Sequence, residues 1–161
     1  MARSDMFLKI EGAKQGPIKG ESQDSVHAEE IDVVSWSWGM QSHTSIQSGL
    51  PAGKTSIDEL LVTKRADKAS TAIMSSLRNN EIIKKATLTV RKAGESALEY
   101  LKITLEQARI VSYSTSGGSA DGGPEVTEQV GFAFSKITVD YTPQGADGQA
   151  KGATTFQTEC S

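Results

Sequence analysis

A closed, mainly antiparallel β fold with one flanking helix is what this sequence predicts, and three observations predict it. Several runs in the second half alternate apolar and polar residues, the side-chain period of a strand with one covered face. Turn-forming Gly, Ser and Thr recur at short spacing, with 15 glycines in 161 residues, as in chains of many short strands. No βαβ alternation is present, so the strands have to pair antiparallel and close as a barrel or sandwich, which removes exposed sheet edges.

The elements follow in order. Asp5 to Ile10 reads as a strand with Met6 and Leu8 on one face and Phe7 on the other. GAKQGPIKGESQD (Gly12–Asp24) is rich in Gly, Pro and charge, and reads as loop. In EEIDVVSWSWG (Glu29–Gly39), a period of two places Val34, Trp36 and Trp38 opposite Ile31 and Val33. Gly39 to Lys54 has no periodicity, and connections of that length are usually functional or mobile. SIDELLVTKRA returns to strand character with imperfect alternation, which suggests a bulge. One stretch, about residues 67–80, has helical spacing: Ala69, Ile73 and Leu77 form a narrow apolar stripe. Asp67 or Ser70 suits its start, and Asn79-Asn80 its end.

Beyond the helix, ATLTVRKAG sets Leu88 and Val90 against Thr87, Thr89 and Arg91. EYLKITLEQ sets Leu101, Ile103 and Leu105 against Tyr100, Lys102 and Thr104, with KAGES as the hairpin turn between the two. ARIVSYSTS is a further strand, GGSADGGPE a loop, VGFAFSKITVDYTPQ a strand region and ATTFQTE a last strand. The sum is about eight or nine strands in one domain spanning 1–161. A flexible tail is expected from about residue 159, with Cys160 as a free thiol or a cross-link between neighbouring copies.

Composition narrows the function. Hydrophobic residues at 37% and charged residues at 23% describe a globular chain, and a net charge of −3 gives no electrostatic reason to seek nucleic acid or anionic lipid. The N-terminal MARSDMFLKIEG lacks the apolar run of a signal peptide or membrane span. SGLPAGKTS (Ser48–Ser56) ends like a nucleotide-binding P-loop, but Gly49 and Gly53 are one residue too close and the next stretch looks extended where a helix is required. HAEE at 27–30 lacks the second histidine of a zinc-binding pair, and one cysteine cannot complete a thiolate site. No G-x-S-x-G elbow is present. His27 therefore reads as a hydrogen-bonding residue at a strand entry. Trp36 and Trp38 read as core or interface fillers, and Lys84, Lys85, Arg91 and Lys92 as a solvated face.

Five blocks carry more than composition: DMFLKIEG (Asp5–Gly12), GESQDSVHAEEIDVVSWSWG (Gly20–Gly39), LLVTKRADKAS (Leu60–Ser70), TVRKAG (Thr89–Gly94) and ITVDYTPQ (Ile137–Gln144). In this order they resemble the haemolysin-coregulated protein (Hcp) family, the tube protein of bacterial type VI secretion systems. The likeness runs from about Asp5 to Gln144 and is least clear after Gly145.

The resemblance implies two antiparallel sheets forming a β-barrel with one flanking helix. It further implies a homohexameric ring, and rings stacked into a hollow tube that a contractile sheath expels behind a spike protein. Small protein effectors would be carried or chaperoned in the lumen. No enzyme activity, metal or cofactor is implied, and the protein would leave the bacterial cytoplasm without a signal peptide. On this basis Met40, Gln41, His43, Ile46, Leu50 and Lys54, in the aperiodic segment, are candidates for ring stacking. Either the Thr87, Thr89 and Arg91 face or the Tyr100, Lys102 and Thr104 face is a candidate for the lumen. Two alternatives stand beside this: a ring that chaperones effectors without building tubes, and a small-barrel hydrolase using His27 or His43 with a carboxylate.

Overall fold

Eleven elements appear in the computed structural model, which describes residues 5–43, 55–92, 98–144 and 152–160. They are β1 (Met6–Gly12), β2 (Gly16–Ile18), β3 (Ile31–Ser37), β4 (Met40–Ser42), β5 (Thr55–Ile57), β6 (Leu60–Arg65), α1 (Ser70–Arg78), β7 (Ile83–Arg91), β8 (Glu99–Ala120), β9 (Gly123–Tyr141) and β10 (Thr154–Glu159). The order β9-β6-β3-β1-β7-β8 closes where β8 pairs with β9, giving a six-stranded antiparallel barrel. β2 adds to β1, β10 adds to β9, and β4 and β5 form a separate two-stranded sheet.

Alternation decides what fills the barrel. Leu8 and Ile10 of β1, Leu88 of β7, Ile103 and Leu105 of β8, and Phe132 and Ile137 of β9 are all at most 2% exposed. Burying side chains of this size contributes about 1.5–3 kcal/mol each. Met6, Trp36 and Trp38 pack against the same core. The single described helix lies against β8, with Ile73 as its fully buried apolar residue.

That helix is shorter than the expected 67–80. The Asp67 carboxylate accepts the Ala69 N–H and the Ser70 hydroxyl accepts the Asp67 N–H, which holds the entry turn outside the helix. At the other end Asn80 takes φ 52, a left-handed position that asparagine tolerates.

Four further expectations are corrected. The pairing of β3 with β6 slips between Val33 and Ser35, so Val33 faces Lys64 while Trp36 faces Val62. The bulge turns Trp36 to the side of Ile31 and Val33 and leaves Val34 40% exposed, so the two tryptophans do not share a face with Val34. The glycine-rich stretch after Ser114 is not a loop. β8 pairs with β9 from Leu101↔Tyr141 up to Ala120↔Gly123, leaving only the turn at Asp121-Gly122, where Gly123 takes φ 108. The segment read as aperiodic from Gly39 begins as β4, and Gly16–Ile18, read as loop, forms β2.

Candidate assembly surfaces

The outer face of the sheet around β7 and β8 is built by register. Three rows cross five strands: Lys9–Thr87–Thr104–Thr138–Gln157, then Glu11–Lys85–Glu106–Lys136–Glu159, then Phe7–Thr89–Lys102–Asp140–Thr155. Opposed side chains in an antiparallel pair share a face. Thr87 and Thr89 therefore lie on the same surface as Thr104 and Lys102, and the two alternative lumen faces are one. The second row alternates in sign across all five strands, with Lys136 3.5 Å from Glu106. Thr155 donates to Asp140 at 2.6 Å. Such a surface is hydrated and nearly charge-balanced, and holds no exposed apolar side chain in these rows.

Tyr100 stands where the β7–β8 register shifts. Lys92 lies 5.6 Å from its ring centroid and Tyr141 meets it edge-on at 6.4 Å. Arg91 departs from the solvated face expected of it. Its guanidinium lies 4.8 Å from the Phe7 ring centroid, held by the carboxylates of Asp5 and Asp24. That contact with Arg91 holds the Asp24 carboxyl well below the usual carboxylate range.

His27 completes this corner. Its ring stacks on Phe7 at 4.5 Å, with Nδ1 2.9 Å from Glu30 Oε2 and Nε2 2.6 Å from Glu99 Oε2. Burial pulls its pKa down, but the hydrogen bonds to Glu99 and Glu30 outweigh that and raise it above the ordinary value. Both ring nitrogens are engaged and the ring is 8% exposed, which leaves no nitrogen facing a cleft.

The candidate stacking residues divide. Met40 is half exposed on β4, Gln41 pairs with Ser56, and His43 Nε2 lies 3.1 Å from Ser56 Oγ. Ile46, Leu50 and Lys54 lie outside the described residues. At the far end, the Cys160 N–H donates to the Ser135 carbonyl at 2.7 Å.

Several described strands pair on one side only, and two such open edges flank the β8–β9 hairpin. β10 pairs with β9 on one side only, and β8 has no outer partner beyond Ala108, where β7 ends. They lie on opposite flanks of the same long β8–β9 hairpin and at opposite ends of it.

Sequence reasoning missed a buried ionic network partway along that hairpin, nearer its turn. Lys64, 0% exposed, lies 2.6 Å from Glu128 Oε1, 2.9 Å from Asp67 Oδ1 and 3.3 Å from Ser70 Oγ. The Tyr113 hydroxyl donates to the other Glu128 oxygen. Lys64 and Asp67 are three residues apart and could have been paired from sequence. Glu128 comes from a strand 64 residues on and could not. Among the described residues, no group of His, Cys, Asp and Glu is arranged to hold a metal, and no helix is long and apolar enough to cross a membrane.

Comparison with known proteins adds the last observations. The sequence model of the family described as type VI secretion system effector, Hcp, matches residues 7–141. The chain is 44% identical over 151 residues to the protein named Hcp1 of Pseudomonas aeruginosa, covering 92% of this chain and 89% of that one. A type VI secretion system effector of Yersinia pestis superposes with a TM-score of 0.75 at 31% identity, covering 97% of this chain and 100% of that one. Hcp1 of Salmonella typhimurium does so at 0.77 and 30% identity, covering 98% and 95%.

Proposed function

This chain belongs to the Hcp family of type VI secretion system proteins, and from that premise we propose that its copies close into a six-membered ring and that rings stack into the secretion tube. The observation that carries the reading is the pair of unlike open edges. A contact between two different patches of the same chain is heterologous, and it closes a ring when the angle between patches allows. An open strand edge is a ready template for pairing with another chain. Having one such edge on each flank of the β8–β9 hairpin favours head-to-tail over face-to-face association.

The rowed polar face then lines the lumen. Its threonines and alternating charges present water-binding groups, which suits passage of folded small protein effectors without adhesion to exposed apolar side chains. The β4–β5 ribbon, which carries Met40 and Gln41, is the stacking element. Sheath and spike are the further partners, on the strength of the family resemblance. The protein is made in the bacterial cytoplasm and expelled by the type VI machinery. The hydrolase alternative loses its His27 form, because both nitrogens of that ring are committed to glutamates. The reading assigns the chain a structural, non-catalytic role.

Removing β10 tests the ring. The six-stranded barrel closes without it, so a chain ending before Thr154 is expected to fold and to remain a monomer by light scattering. The full chain is expected to give rings in negative-stain electron microscopy. A full chain that stays monomeric at micromolar concentration, or rings that survive the truncation, would overturn the reading.

A further inference from the structure

One corner of the polar face is covered by the segment that carries His27, which bridges β1, β7 and β8. We propose that this corner is a proton-controlled latch: protonated His27 fastens its segment to Glu99 of β8, and loss of the proton releases it.

The geometry requires the charged ring. Glu30 faces Nδ1 at 2.9 Å and Glu99 faces Nε2 at 2.6 Å. Only the imidazolium carries a proton on both nitrogens, whereas the neutral ring must turn a lone pair toward one of the two carboxylates. The ring lies flat on Phe7, with an interplanar angle of 12°, so it cannot rotate away without unstacking. The surrounding charges point the same way. Glu30 faces the ring from its own segment and Glu99 from β8. Arg91 of β7 lies over Phe7 and is itself held by Asp5 and Asp24. Four carboxylates thus share one permanent cation, and a second positive charge on His27 relieves the excess.

Asp24 is the second tether. Its side chain accepts the N–H groups of Val26 and His27 and also binds Arg91, which ties the turn to β7. Opening at His27 therefore loosens the segment and bares Phe7 and Thr89, without detaching the chain from β7. Because the folded-state pKa is raised, the fastening is complete below the ordinary histidine value of 6.5 and is lost as pH rises through the higher folded value.

The latch does not rest on ring or tube assembly, and its test is independent of them. Hydrogen–deuterium exchange of the full chain, in whatever assembly it adopts, would be measured at pH 6, 7.5 and 9 with intrinsic rates corrected. Protection of residues 20–31 is expected to fall about tenfold across this range in the wild type, the change expected for one lost charged hydrogen bond, while β8 and β9 hold constant. In His27→Gln the segment is expected to be weakly protected at every pH, with no transition. Glu99→Gln preserves shape and is expected to move the transition to lower pH, and His43→Gln to leave it in place. A flat wild-type profile, or a transition that persists in His27→Gln or is unmoved in Glu99→Gln, would overturn the latch.

Discussion

Replacing Glu128 by alanine should be among the more damaging single changes outside the apolar core. Lys64 is wholly buried, and its ammonium has Glu128 at 2.6 Å and Asp67 at 2.9 Å as charged partners. Deleting one partner of a buried ion pair costs about 3–5 kcal/mol, because the remaining charge stays desolvated. Asp67 persists, which places the expected loss near the lower end, about 3 kcal/mol. For a chain of this length, each kcal/mol lowers Tm by about 2–4 °C, so a fall of roughly 6–12 °C is expected. Calorimetry at fixed protein concentration is the assay, since assembly also shifts Tm.

The pair Lys64→Met with Glu128→Gln separates desolvation from simple loss of contacts. Methionine fills the space of the lysine stem, and the glutamine carbonyl still accepts from Tyr113 while its amide NH2 can donate to the Ser70 oxygen. Asp67 keeps the Ala69 N–H but loses its cation, so the double variant should not match the wild type, yet should be about 1–2 kcal/mol more stable than Glu128→Ala. A second readout is Tyr113. Burial, and then the hydrogen bond to Glu128, push its hydroxyl up to about 12, so Glu128→Ala should lower it, as followed by tyrosinate absorbance. A loss below about 1 kcal/mol in Glu128→Ala, or a double variant no more stable than the single, would refute the reasoning.

Other expected outcomes concern the backbone and the stacking element. A Cβ on Gly20 would lie 2.7 Å from the Glu30 carbonyl oxygen and 2.8 Å from Ile31 Cα. These are backbone atoms that cannot swing aside, so Gly20→Ala should cost about 1–3 kcal/mol in denaturant unfolding, and an unchanged midpoint would contradict the close approach. Deleting Gln41–Leu50 should leave barrel and ring intact by light scattering but abolish long tubes by electron microscopy, whereas unchanged tubes would remove the stacking role.

Much of the barrel was legible because alternation is a local property. Leu88, Ile103 and Leu105 announce their burial within a few residues, and the helix was found through Ala69, Ile73 and Leu77. The shared polar face was half legible. Each strand showed its polar side, but whether Thr87 and Thr104 share a surface depends on a register that neither strand encodes alone. The candidate stacking residues remain an expectation, three of them lying outside the described structure.

The chain's own order of residues determined the β class, the position of the helix and the family signature, since short-range periodicity and a contiguous motif need no knowledge of folding partners. Tertiary structure alone decided the bulge that turns Trp36 inward, the continuous hairpin through the glycines after Ser114, the pairing of buried Lys64 with Glu128, and the clamp on His27. Each of these depends on atoms far apart in sequence being brought within a few ångströms, where one residue of register or one buried charge outweighs local preference.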